Sequence, residues 1–172
     1  LKEYKNKAAI HFVPEPLEEG YQAITFQQLY VRVNEFAALL RDFAGLKRGD
    51  RVTLHMPMIP ELPITMLACA RLGVIHSQVF GGFSGRACAD RIVDSGSRVL
   101  ITMDAYYRGG NLLDILDRGS IEGRRNALRV LRWSRLLRLH QVAKAGRVYR
   151  LRGLSTRMFR GILVLGVLHR FL

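Results

Sequence analysis

Two short loops hold the residues best suited to chemistry. Gly81-Gly82-Phe83-Ser84 sets a glycine pair just before a serine that can cap a helix, and Asp104-Ala105-Tyr106-Tyr107-Arg108-Gly109-Gly110 sets an arginine beside a second glycine pair. Glycine pairs let backbone approach a ligand closely, a capped helix start favours an anion, and guanidinium offers phosphate a planar, permanently charged fork. The chemistry these parts suit is the holding of a phosphate-bearing ligand. Taken singly they are weak signals, because most Gly-Gly pairs are plain turns.

Other conspicuous residues fit structure better than catalysis. His55 and His76 stand in expected strands with no carboxylate at useful spacing, so core or strand-end positions are expected for both. Met56, Met58 and Met66 lie among prolines and alanines and suit gap-filling. Asp90 and Asp94, four apart with Arg91 and Arg98 nearby, suit a solvated helix face rather than an acid and base pair. Cys69 and Cys88 sit in apolar helical contexts at a spacing that suits neither a disulfide framework nor a zinc site. Reduced core thiols of a cytoplasmic protein are the expectation. No catalytic residue and no metal ligand is assigned.

The elements that must position the two loops emerge from local patterns. Residues Ala8 to Val13 form an apolar run closed by Pro14 and Pro16, an edge strand or extended segment. Thr25-Phe26-Gln27-Gln28 matches the capping box, and Leu29, Val33, Phe36, Ala37 and Leu40 come after it at helical spacing until Gly45. Arg51 to Met56 predicts a strand ended by Pro57, and a second helix runs from about Pro60 to Gly73, apolar almost all round. Val74 to Phe80 predicts a strand, Gly85 to Asp94 a helix capped by Ser84, and Arg98 to Met103 another strand. Strands and helices alternate. Short glycine-bearing connections then imply a parallel sheet covered by helices, with ligands beyond the C-terminal ends of its strands, where both loops fall.

Composition limits the alternatives. The chain has 172 residues, 49% of them hydrophobic, enough for one ordinary domain. Its longest run without Asp, Glu, Lys or Arg is Leu72 to Gly85, shorter than the roughly 18 apolar residues of a membrane span. The net charge of +13 is uneven: residues 1–114 are nearly balanced, while residues 115–172 hold 14 basic residues against 2 acidic ones. All five prolines lie in the first part. Two different compositions meet near Asp114.

One stretch is recognisable. Lys47-Arg48-Gly49-Asp50-Arg51-Val52-Thr53-Leu54-His55-Met56-Pro57-Met58-Ile59-Pro60-Glu61-Leu62-Pro63, continued by Met66 to Ser77 and by Val79-Phe80-Gly81-Gly82-Phe83-Ser84, resembles the opening region of AMP-forming acetyl-CoA synthetases. These belong to the adenylate-forming superfamily, and the resemblance covers about residues 6–114. It implies an acetate-CoA ligase that joins acetate to ATP as acetyl-AMP and then passes the acetyl group to CoA. It also implies a truncated part of the large domain, because the phosphate loop, the ribose-holding Asp and the late catalytic Lys are not found. Only a CoA-facing part is then present: Phe80, Gly81 and Gly82 beside the CoA nucleotide, and Arg108 toward a CoA phosphate. Where some relatives place a second basic residue three positions on, this sequence has Asn111. CoA, ATP and magnesium serve the full-length family, and none is expected to bind tightly to this chain.

The tail admits several readings. Arg129, Arg132, Arg135 and Arg138 recur every third residue, as in voltage-sensor helices, but the sequence holds no companion spans. A basic interaction module that binds nucleic acid or an anionic membrane is the alternative function. Arginines at that period spiral around a helix by about 60° per step instead of forming one face. An out-of-frame or fused continuation is the favoured reading. The expected architecture is therefore α/β: a partial three-layer parallel sheet with flanking helices in residues 1–114, then an Arg-rich helical or disordered tail in residues 115–172.

Overall fold

The computed structural model describes residues 2–15, 19–103, 105–114 and 129–132. The chain opens with a small antiparallel ribbon, β1 (Ala8–Phe12) and β2 (Gln22–Thr25), paired with a register shift between Ala8 and Ile10. Helix α1 (Phe26–Asp42) starts on the expected capping box. Thr25 Oγ1 accepts from the Gln28 N–H at 3.2 Å, and Gln28 Oε1 accepts from the Thr25 N–H at 2.9 Å. Val33, Phe36, Ala37 and Leu40 form its buried stripe.

The central sheet contains β3 (Arg51–Met56), β4 (Ile75–Phe80) and β5 (Val99–Thr102), joined by α2 (Glu61–Leu72) and α3 (Gly85–Ser95). Both helices end on a left-handed glycine, Gly73 at φ 69° and Gly96 at φ 62°. The strands are parallel in the order β4-β3-β5. The chain thus steps from β3 to one side and then crosses to the other. Right-handed crossovers in opposite directions put α2 and α3 on opposite faces, which makes three layers.

Side-chain alternation assigns the two interiors. His55 pairs with Val79 and Thr53 with Leu100, so these four residues share one face. Val79 and Leu100 cluster with Cys88 and Ile92 of α3, which identifies that face as the α3 side. The opposite face carries Val52, Leu54, Met56, Val99 and Ile101, all buried. Helix α2 packs against α1 as well as the sheet, so its nearly continuous apolar surface finds two partners, although Leu67 remains exposed.

Two segments differ from the sequence expectation. Residues 105–110 are not an open loop: β6 (Ala105–Arg108) and β7 (Asn111–Asp114) form an antiparallel hairpin. Gly109 and Gly110, at φ 60° and 73°, make its two-residue turn. Positive φ at both turn positions matches the right-handed twist of a hairpin, and this requirement explains the glycine pair. The second difference is β8 (Arg129–Arg132), which adds to β5 in parallel. Arg129 and Arg132 therefore stand in a strand rather than on a helix. The rest of the tail, including Arg135 and Arg138, lies outside the described residues.

Candidate functional site

A cleft of about 790 Å³ opens beyond the C-terminal ends of the parallel strands. Its floor comes from residues at or just past the strand ends: Pro57 to Glu61 after β3, Phe80 at the end of β4 and Met103 after β5. The β1–β2 ribbon forms one wall through Phe12 to Glu15, Glu19 and Gln22, and β6 forms another through Ala105 to Arg108.

Of the four residues singled out in the sequence, Phe80 and Arg108 line the cleft, and Gly81 and Gly82 form the turn that follows Phe80. The Phe83 N–H donates to the Phe80 carbonyl at 3.0 Å and closes a turn over Gly81 and Gly82. Ser84 then caps α3, its Oγ accepting from the Ala87 N–H at 3.3 Å. Phe83 meets Phe80 edge to face at 6.4 Å, and the Arg91 guanidinium lies 5.5 Å from the Phe83 ring. These contacts fasten the turn to α3.

Arg108 comes from the hairpin, with its guanidinium 5.5 Å from the Phe80 ring centroid. Gly82 makes this approach possible: a Cβ there would collide with Arg108 Nη1 and press on the Phe80 ring. Phe80 and Arg108 line the cleft, Gly82 lies beneath the guanidinium, and Gly81 completes the turn without lining it. Asn111 is committed to the hairpin, since its Nδ2 donates to the Gly109 carbonyl at 3.0 Å.

Sequence reasoning missed the acidic side of the cleft. Glu15, Glu19 and Glu61 all line it, and the Gly110 N–H donates to Glu15 Oε1 at 2.9 Å. The prolines and glutamates of residues 14–19 carried a compositional hint, but nothing local tied them to a hairpin 95 positions away. Tyr106 gave no signal in the sequence either. It lines the cleft with a buried hydroxyl that has no hydrogen-bond partner.

Met58, expected to fill a gap in packing, is instead 70% exposed and lines the cleft, because it follows the end of β3. The two cysteines and the α3 acids do no chemistry here. Cys69 and Cys88 are buried free thiols, pushed up to about 12 and about 11 by burial, so both are protonated and inert at neutral pH. Asp90 and Asp94 are exposed on α3. Among the described residues no group of His, Cys, Asp or Glu is arranged to hold a metal ion, and no helix is long and apolar enough to cross a membrane.

His55 is 3% exposed, faces the α3 layer and leaves Nε2 without a partner. Burial holds its pKa below the ordinary 6.5, opposed by a hydrogen bond with the Phe80 backbone. The folded state keeps this imidazole neutral where an unfolded chain takes a proton. Stability should therefore be flat above about pH 6.5 and fall as pH drops below it, levelling off under the folded pKa. Urea unfolding at about pH 7.5 and about pH 5.5 checks this. His55→Gln should lose part of the fall, and an unchanged fall would assign it to other groups.

A family model described as AMP-binding enzyme matches residues 1–149. The chain belongs to that family. It is 53% identical over 106 residues to an acetyl-coenzyme A synthetase of Methanothrix soehngenii, covering 62% of this chain and 16% of that protein. A 3-hydroxypropionyl-coenzyme A synthetase of Sulfurisphaera tokodaii is 51% identical over 111 residues, covering 64% and 16%. An acetyl-coenzyme A synthetase of Campylobacter jejuni is 44% identical over 134 residues, covering 76% and 20%. The chain thus spans a fifth or less of the length of these relatives. Residues 115–149, which the motif resemblance leaves out, fall inside the family match together with β8, while residues 150–172 lie beyond it.

Proposed function

We propose that this chain forms the opening segment of the large domain of an AMP-forming acid–thiol ligase, and that its cleft receives the nucleotide end of CoA. The whole enzyme would convert acetate, ATP and CoA into acetyl-CoA, AMP and diphosphate, with magnesium on the nucleotide. The observation that carries the reading is the Gly82–Arg108–Phe80 arrangement. A guanidinium stacked on an aromatic ring, above a glycine that leaves it room, is pre-positioned for phosphate at little entropic cost. Acetate is the acid named for two of the relatives, and the Sulfurisphaera tokodaii relative marks 3-hydroxypropionate as the other acid to assay.

Arg108→Ala, made at the matching position of a full-length relative, should weaken CoA more than ATP or acetate. Loss of one charge-assisted phosphate contact corresponds to about 1.5 to 3 kcal/mol, or roughly tenfold to a hundredfold in affinity. Steady-state kinetics with each substrate varied in turn checks it. Equal losses for all three substrates would make Arg108 a structural residue. No described residue favours the nucleic-acid or membrane reading, and cytoplasmic location belongs to the same proposal as the ligase activity.

A further inference from the structure

Glu15 reaches the hairpin turn from the far end of the chain. It comes shortly after β1, and its Oε1 takes the Gly110 N–H at 2.9 Å although both residues are exposed and water could serve each of them. Two positions before Gly110, in the same hairpin, stands Arg108, which lines the cleft as Glu15 does. A backbone donor and a guanidinium carried by one hairpin are the parts of an anion seat. The acceptor that the structure places there is the chain's own carboxylate. Glu19 and Glu61 line the same cleft, and among the described residues no carboxylate forms an ion pair with Arg108.

We infer that Glu15 is an internal stand-in for a ligand phosphate, holding the Gly110 amide and setting which anions enter beside Arg108. The inference rests on the reading of this cleft as a phosphate seat. An arriving phosphate oxygen meets the Glu15 charge and competes with it for the Gly110 N–H. A neutral ligand meets neither obstacle. Glu15 thus selects against ligands whose only handle is negative charge, and favours one that also fills the apolar floor.

The two obstacles separate by substitution. Glu15→Gln keeps an oxygen for the Gly110 N–H and removes the charge, whereas Glu15→Ala removes both. Adenosine 3′,5′-bisphosphate, with uncharged adenosine as control, is titrated calorimetrically into the 172-residue chain and its variants. Bisphosphate affinity should rise about three- to tenfold in Glu15→Gln, as removal of one unit charge at short range through water implies, and further in Glu15→Ala. Adenosine affinity should not change, and Arg108→Ala should weaken the bisphosphate in every background. Weaker bisphosphate binding in Glu15→Ala with no change in Glu15→Gln would overturn the inference and leave Glu15 as a fastener of the hairpin. Absence of binding in the parent chain and in both variants would overturn it as well, because removing the stand-in should expose the seat. Sensitivity to Arg108→Ala without any gain from the Glu15 variants would refute the stand-in alone. Tight binding indifferent to Arg108→Ala would refute the phosphate seat itself.

Discussion

Purified 172-residue chain, given acetate, magnesium-ATP and labelled pyrophosphate, should produce no acetate-dependent exchange of label into ATP. A full-length relative in the same assay should exchange readily. Adenylation needs preorganised donors along the triphosphate and a carboxylate held in line for attack, effects that supply most of an enzyme's rate. Among the described residues the cleft offers one guanidinium against three carboxylates, a field that disfavours a triphosphate. By resemblance, the residues that would bind ATP lie in the part of the relatives this chain does not span. Exchange above background that survives repurification would mean that the chain carries a nucleotide site of its own.

Leu54→Ala should destabilise the fold by about 2 to 5 kcal/mol, the usual cost of emptying a leucine site in a packed core. Leu54 is fully buried in β3, with β4 on one side and β5 on the other, and points to the same face as Ile101. A strand flanked on both sides cannot move to fill the cavity without breaking a ladder. Against a typical domain stability of about 5 to 15 kcal/mol the loss is large. Leu67→Ala on α2 supplies the contrast, because that side chain is 45% exposed and gives up little burial. Urea unfolding of both variants decides it: a cost at position 54 no greater than at position 67 would mean that the sheet interior is not packed as described.

The strand and helix alternation was legible because each element announces itself locally. The capping box at Thr25, the stop at Gly73 and the Ser84 cap depend on residues within four positions of one another. Phe80, Gly81, Gly82 and Arg108 were singled out through resemblance, not through pattern, since Gly81-Gly82 and Gly109-Gly110 look alike in sequence. In the structure their roles differ: the first pair makes room for Arg108, and the second turns a hairpin. What stayed hidden was long-range. Pairing of β1 with β2, the contact of Glu15 with Gly110 and the addition of β8 to β5 all join segments whose own residues say nothing about their partners. The arginine at every third position even suggested a helix where four residues are extended, because pairing with β5 outweighs a local preference.

Because the cleft draws its walls from residues 12–15, 19, 22, 57–61, 80, 103 and 105–108, it has a place in time as well as in space. None of these pieces encloses anything until the sheet has closed and both hairpins have docked. Loop closure over such separations is slow compared with helix formation, so the cleft is completed late in folding. Its walls are also the thinnest part of the structure, two-stranded ribbons with exposed hydrogen bonds, and such units open at lower free energy than a buried sheet. The Gly110 amide, tied down by the Glu15 carboxylate, is accordingly a natural clock for this opening. Its hydrogen should exchange with solvent well before those of β3, at a rate set by how often the exposed Glu15 carboxylate lets go while the core stays whole.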